Sequence, residues 1–288
     1  MNIAKLKLVS AMGIFGTIGI FVSYIPLPSA AIAFFRGAVG AIFLIAVMLL
    51  SGKKPDWQAI RKNLLLLVIS GGAIGLNWIL LFESYKHTSV STATVCYYLA
   101  PLLLLLASPL LGEKLTAKKL LCVGTALVGL VCVSGVVQSG LPSVAEALGV
   151  LLGVGAAVLY ATVMFLNRKL SPIPAYDKTI LQLGSAALVI LPYLLLSQPA
   201  GLPALTAGQW VLLCVVGIVH TGFAYALYFG SMKDLSAQTV AVFSYLDPVI
   251  AVLLSVFWLK VPMGIPEIIG AVLILGSALY SELPEKRK

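Results

Sequence analysis

The chain has 288 residues, of which 60% are hydrophobic and only 10% charged, and its mean hydropathy is +1.07. A soluble domain of this composition could not cover its surface with polar groups, whereas lipid-facing helices account for it directly. The formal net charge of +9 raises nucleic acid as a partner, but the placement of the basic residues along the chain gives them another role.

A helix that crosses a bilayer needs about 20 mostly apolar residues. Ten such runs follow one another, at 8–25, 30–51, 63–82, 88–110, 120–137, 146–166, 177–197, 209–231, 236–258 and 264–281. The connections between them are too short for a soluble domain. No small-residue cleavage site follows the first run, so it is read as a retained helix and not as a signal peptide.

The first run carries Gly13, Gly16 and Gly19, a flat face that would accept a neighbouring helix or a substrate. Ile25-Pro26-Leu27-Pro28 then makes a rigid turn. The second run carries Arg36 about two helical turns in. At that depth an arginine either snorkels to the headgroups or faces a polar interior as a functional group. The third run holds Asn77 and Trp78 beyond a glycine face of Gly71, Gly72 and Gly75. Asn77 fits an interhelical hydrogen bond or a ligand contact.

In the fourth run Pro101 removes a backbone donor and predicts a kink near mid-membrane. Tyr97 and Tyr98 stand just before it, too deep for the interfacial aromatic belt. The sixth run contributes Tyr160 and Asn167, and the seventh Gln182. The eighth places His220 near mid-membrane, followed by Thr221, Tyr225 and Tyr228. A histidine there is either a satisfied packing residue or a proton relay. The ninth run has Tyr245 and Asp247 directly before Pro248, and a carboxylate at that depth must be protonated, paired or hydrated.

The fourth run occurs twice. A shift of 147 residues lays 212–260 on 65–113, with 16 identities in 49 positions and no gap. Pro101 falls on Pro248, Leu99 on Leu246, Tyr98 on Tyr245, Thr92 on Thr239, Ser89 on Ser236 and Lys86 on Lys233. Chance Leu and Val matches do not produce an aligned Y-L-x-P, so the chain is read as a duplication. The two copies cover 1–138 and 146–288, with a linker at 139–145. Five helices per copy is an odd number, so the second copy enters from the opposite side of the membrane and the repeat is inverted. With the N-terminus in the cytoplasm, 16 of the 19 Lys and Arg residues fall inside and only Lys86 and Lys260 outside, Arg36 lying within a helix. This positive-inside bias puts both termini in the cytoplasm, assigns the net charge to orientation and removes the nucleic-acid reading.

Cys96, Cys122, Cys132 and Cys214 all lie in predicted helices with neither CxxC nor Cys/His spacing, so they read as packing residues, with no metal site and no cofactor expected. An integral membrane enzyme would want paired carboxylates, a His/Asp constellation or metal ligands at the membrane face. Only His87 and His220 are present, without a motif. An accessory membrane protein would not need midplane polar residues in both halves, and an ion channel would want rings of like charge.

With these features the chain resembles the EamA-like family of the drug/metabolite transporter superfamily. The matching residues are Phe15-Gly16, Arg36 in its R-x-x-x-A/G context, the L-x-P ending at Pro101, Gly112-Glu113 and Gly124. The resemblance implies an all-α integral membrane protein of ten transmembrane helices in two inverted repeats. It also implies export or exchange of small metabolites, such as amino acids, through a cavity lined by helices 1, 3, 4, 6, 8 and 9. The second copy departs from the pattern, with Leu259-Lys260 where a second G-E ending is expected.

Inverted-repeat transporters hold substrate near the midplane between the repeats. The expected substrate-binding residues are Tyr97, Tyr98, His220, Tyr225, Tyr245 and Asp247, with Arg36, Asn77 and Trp78 above them. Arg36 would meet an anionic and Asp247 a cationic group of a small zwitterionic or aromatic metabolite. Pro101 and Pro248 would be the gating kinks, and Asp247 or His220 the carrier if protons are coupled. The expected location is the plasma (inner) membrane of a bacterial cell, as a monomer or weak homodimer; Gly71-x-x-x-Gly75 and Gly149-x-x-x-Gly153 would serve packing within the chain equally well.

Overall fold

The computed structural model describes residues 3–87, 96–112, 114–133, 147–198, 201–232, 234–258 and 264–282. Ser89, Thr92, Glu113, Lys233, Lys260, the linker 139–145 and the basic tail lie outside the described residues.

The described residues are helical, with no strand among them. α1 is Ile3–Ser23, α2 Ser29–Leu50 and α3 Trp57–His87. α4, Ala100–Ala107, tightens into a 3₁₀ turn at Ser108–Leu111, and α5 is Ala117–Val133. α6 is Ala147–Lys169 and α7 Ala175–Ser197. α8 spans Ala207–Met232 with a π turn at Ile218–Phe223 inside it. α9 is Ala237–Ser244, α10 Leu246–Phe257 and α11 Ile265–Glu282.

Six of these, α1, α2, α3, α6, α7 and α8, are by length and composition able to cross a membrane. α5 and α11 contain shorter apolar stretches, Leu120–Gly129 and Ile268–Ser277. The starts follow local chemistry. Pro28 and Pro174, with φ of −57° and −56°, precede α2 and α7 and pre-set the entry of each. Thr206 and Gln209 close a capping box on the first turn of α8.

The two proline-containing runs are broken helices, not bent ones. The chain turns at Tyr98–Leu99 before α4, and again at Tyr245 between α9 and α10, so Pro101 and Pro248 both sit in the first turn of a new helix. There a missing N–H costs no hydrogen bond.

The halves do not pack as separate bodies. α3 lies on α6 and α8 on α1, α2 lies on its counterpart α7, α4 on α9, and α5 on its counterpart α11. Small residues set the closest of these seams. A Cβ on Gly71 would stand 2.6 Å from the Gln182 carbonyl oxygen, and one on Gly75 2.8 Å from that of Ala186. The Gly71-x-x-x-Gly75 face is thus spent within the chain, on α7. Ser84 donates to the Gly149 carbonyl at 2.7 Å, so Gly149 too meets α3. The expected flat face of α1 is divided. Gly16 abuts Ile250 and the Asp247 carbonyl, whereas Gly13 and Gly19 have open space where a Cβ would stand.

One end of the bundle is laced by side chains that reach across to backbone. Arg168 donates to the carbonyls of Met232 and Leu235, Lys178 to Phe229 at 2.7 Å, Lys169 to Leu110 at 3.2 Å, and Gln238 to Lys114 at 2.6 Å. The Asp56 amide donates to Asp177, and Asn63 and Ser171 bond reciprocally. These groups satisfy carbonyls that a helix end leaves without an intrahelical donor.

Candidate functional site

Positions related by the 147-residue shift meet at the centre of the molecule. Tyr245 donates its hydroxyl to the Tyr98 carbonyl at 3.1 Å, and the two rings lie 6.3 Å apart. Trp78 and Tyr225, also equivalent under the shift, pack edge to face at 6.3 Å. These contacts join the two helix breaks and α3 with α8.

An aromatic shell continues from them. Tyr97 stacks on Tyr160 at 5.4 Å with the planes 10° apart and meets Tyr98 edge-on at 5.5 Å. Tyr160 donates to the Tyr228 hydroxyl at 3.2 Å, and Tyr228 to the Met164 sulfur at 3.1 Å. Phe15 lies 5.1 Å from Tyr225 and 6.1 Å from Tyr228. Tyr160, Tyr228 and Tyr245 each donate their hydroxyl to a partner, the usual condition for tyrosine away from water.

Two opposite charges sit in this shell. Arg36, half-buried on α2, places its guanidinium over the Trp78 ring at 4.6 Å and donates Nε–H to Thr221 Oγ1 at 3.1 Å. Thr221, fully buried, gives its own hydrogen to the Val216 carbonyl at 2.9 Å, five residues back, a bond that the π turn creates. One face and one edge of the guanidinium are therefore held, and the edge formed by the two Nη groups remains. Asp247 is half-buried in the first turn of α10, directly after the break at Tyr245, and its backbone carbonyl faces Gly16 of α1.

The π turn can approach α2 because three glycines meet there. A Cβ on Gly40 would be 3.0 Å from the Gly217 carbonyl and 3.1 Å from the Gly222 amide nitrogen. This contact brings Thr221 up to Arg36.

His220, the neighbour of Thr221, is buried on another side. Its Nε2 lies 2.8 Å from Thr17 Oγ1, and its ring centroid 4.7 Å from that of Phe21. Thr17 sends its only hydroxyl hydrogen to the Ile14 carbonyl at 2.7 Å. On the other side of the His220 ring, Nδ1 lies 3.4 Å from the Val215 carbonyl. His220 and Thr17 line a groove of about 430 Å³ between α1 and α8, with Ser10, Gly13, Phe21 and Val219. His220 thus stands apart from the charged centre, at this side groove. Asn77 is also apart. Its amide donates to the Ala156 carbonyl at 2.6 Å and ties α3 to α6.

Of the residues expected from the sequence, Arg36, Trp78, Tyr97, Tyr98, Tyr225, Tyr245 and Asp247 come together, while Asn77 and His220 serve neighbouring contacts. Thr221, Phe15, Tyr160 and Tyr228 join the group. For Tyr160 and Tyr228 the signal was depth in an apolar run. Thr221 carried none, because its role depends on a π turn that no local pattern announces. Among the described residues no group of His, Cys, Asp or Glu side chains has the arrangement of a metal site.

A multi-pass helical membrane protein with an aromatic, doubly charged centre between two related halves defines a transporter class of fold. The EamA-like transporter family profile matches twice, over residues 2–135 and 147–281, and the chain belongs to that family, within the drug/metabolite transporter superfamily. An uncharacterized transporter of Bacillus subtilis, YxxF, is 31% identical over 280 residues, covering 96% of this chain and 88% of that one. The pseudopaline exporter CntI of Pseudomonas aeruginosa is 26% identical over 251 residues, covering 86% and 84%. A solved crystal structure superposes with a TM-score of 0.82 at 23% identity, covering 97% of both chains, and shows the same fold.

Proposed function

We propose that this transporter exports or exchanges a small zwitterionic metabolite, an amino acid or a related aromatic compound, by alternating access around the centre described above. The observation that carries the reading is that Arg36, held over Trp78 and bonded to Thr221, and Asp247, at the break after Tyr245, belong to one aromatic centre where equivalent positions of the two halves meet. Arg36 would bind the substrate's carboxylate end-on through its Nη groups, Asp247 its ammonium, and the tyrosines and Trp78 its side chain. A ligand bearing both charges completes two interactions at once, whereas one bearing a single charge leaves the other residue unanswered.

The packing of α2 and α5 on their own counterparts, and the matched pairs α3 on α6 and α8 on α1, are what a two-fold axis in the membrane plane would produce, and support the inverted repeat. Rocking about the breaks at Tyr98–Leu99 and Tyr245 would expose the centre alternately to either side. The positive-inside bias supports a bacterial inner-membrane location with both termini cytoplasmic, and a relative named as an exporter supports outward transport. If protons are coupled, Asp247 is better placed than His220 to exchange one with substrate, because it lies in the charged centre.

The test is uptake into proteoliposomes with matched panels of aromatic amino acids, their amides, their deaminated acids and simple amines. The zwitterions should be transported and the singly charged analogues should not, and alanine at Arg36, Tyr98 or Asp247 should abolish the uptake. Equal transport of the amides and the acids, or wild-type rates in all three variants, would refute the assignment. Uptake indifferent to an imposed pH gradient would refute proton coupling alone.

A further inference from the structure

A guanidinium carries five donors in a planar fork, and an oxyanion can dock bidentately along its Nη/Nη edge or along its Nε/Nη edge. A long arginine side chain left to itself samples both, and a ligand has to order it on binding. Two contacts remove that choice from Arg36, which is half-buried on α2. Trp78 covers one face of the cation at 4.6 Å, and Thr221 Oγ1 accepts the Nε–H at 3.1 Å. The second contact withdraws the Nε/Nη edge. A planar oxyanion can then form two parallel bonds only along the Nη/Nη edge, at the far end of the fork.

Thr221 is itself committed in advance. It is fully buried, and its hydroxyl hydrogen goes to the Val216 carbonyl at 2.9 Å, so the oxygen turned toward Arg36 can only accept. In a regular α-helix a threonine hydroxyl reaches carbonyls three or four residues back. The bond to the fifth is a product of the π turn at Ile218–Phe223. That turn is seated on α2 backbone to backbone, where a Cβ on Gly40 would stand 3.0 Å from the Gly217 carbonyl and 3.1 Å from the Gly222 amide nitrogen. Gly40 lies one helical turn beyond Arg36, so the height of Thr221 relative to the guanidinium is set by the main chain. The acceptor is also neutral. A hydroxyl fixes the direction of the cation and leaves its charge for a ligand, whereas a carboxylate at this position would answer both.

We propose that Thr221 is the positioning residue of an anion subsite, holding Arg36 so that a planar carboxylate docks along its Nη/Nη edge. The π turn of α8 is what brings the Thr221 hydroxyl into place. This rests on the reading of Arg36 as the group that meets the substrate's carboxylate, but its test needs no transport.

The probe is sodium benzoate, an aromatic carboxylate, titrated into purified full-length protein in detergent at constant ionic strength. The protein carries [15N]arginine, and R36K identifies the Arg36 signals. In the wild type the Arg36 Nε–H should exchange slowly with solvent, and benzoate should bind saturably and shift the Arg36 Nη signals. T221S keeps the acceptor and should match both within about twofold. T221V should speed the Nε–H exchange and weaken benzoate by about tenfold each, the factor for one lost hydrogen bond to a charged group.

An Arg36 Nε–H that exchanges as fast in the wild type as in T221V overturns the inference, and so does a T221S that behaves like T221V. If T221V does not fold, T221A, which lacks the hydroxyl and is smaller, is read by the same criteria. Benzoate that binds at Arg36 but equally tightly without the hydroxyl refutes the role of Thr221 alone. Benzoate that leaves the Arg36 signals of the wild type unmoved refutes the carboxylate role of Arg36, and this inference with it. The expected values in a protein that carries no zwitterion would leave Thr221 in its role and refute only the transport reading.

Discussion

The seam between α3 and α7 provides a strong test of the packing, because two adjacent glycines on α3 meet very different surroundings. A Cβ added at Gly71 would lie 2.6 Å from the Gln182 carbonyl oxygen, 2.6 Å from the Ser185 Cβ and 2.9 Å from the Gln182 Cα. Two of these three atoms are backbone, so no side chain can rotate out of the way and the helices must separate. One residue on, a Cβ at Gly72 meets only a Val189 methyl at 3.8 Å, an ordinary contact. Forcing an extra methyl into a packed seam costs about 1–3 kcal/mol. Alanine within a helix returns about 1 kcal/mol relative to glycine, and does so at both sites. Gly71→Ala should therefore be destabilised by up to about 2 kcal/mol, while Gly72→Ala should be neutral or stabilised by up to about 1 kcal/mol. The two variants, identical in composition, are compared by thermal unfolding in one detergent, following loss of the monodisperse peak. Gly71→Ala should melt several degrees below the wild type and Gly72→Ala at or above it. Equal melting of the two would refute the close approach of α3 to α7, and with it the argument that this glycine face is consumed inside the chain.

Asn77→Ala should cost about 1–2 kcal/mol by removing the buried bond to the Ala156 carbonyl; in the same melting assay, stability unchanged from wild type would mean the residue is not a tie between α3 and α6. If the substrate probes of the transport panel are bound, this variant should hold them with wild-type affinity, since its amide is already engaged. Arg168→Met should loosen the laced end of the bundle, because each charge-assisted bond to the Met232 and Leu235 carbonyls contributes about 1.5 kcal/mol. A cysteine introduced at Leu235, itself buried, should then react with a hydrophilic maleimide about a hundredfold faster, the factor that corresponds to about 3 kcal/mol for the two bonds together; an unchanged rate would show that the lacing does not hold that end shut.

Much of the architecture was legible without coordinates because a bilayer makes simple demands. Apolar runs of about 20 residues had to be helices, since no other open segment satisfies its own backbone in lipid. The duplication was also legible, because Y-L-x-P and its flanking polar residues survive in both copies while the lipid-facing positions drift. The shift aligns Tyr98 with Tyr245 and Trp78 with Tyr225, and the fold brings each of these pairs into contact. Arg36 and Asp247 stood out because ionisable groups at membrane depth are costly.

Tertiary structure decided the rest, for reasons that no local pattern carries. The proline-containing runs could be called interrupted from sequence, but whether the chain bends or stops was settled by the packing that turns it at Tyr98–Leu99 and at Tyr245. Asn77 was ambiguous because an amide bonds whatever faces it, and the approach of α6 gave it a carbonyl. His220 and Thr221 are adjacent in sequence yet serve different sites, since the π turn rotates one toward Thr17 and the other toward Arg36. The sequence by itself determined that this chain crosses a membrane as two copies of one helical unit, because hydrophobicity and repetition are properties of the string. Which groups would surround Arg36 depended on helices distant in sequence, since Trp78 and Thr221 reach it only once α3 and the π turn of α8 close on α2.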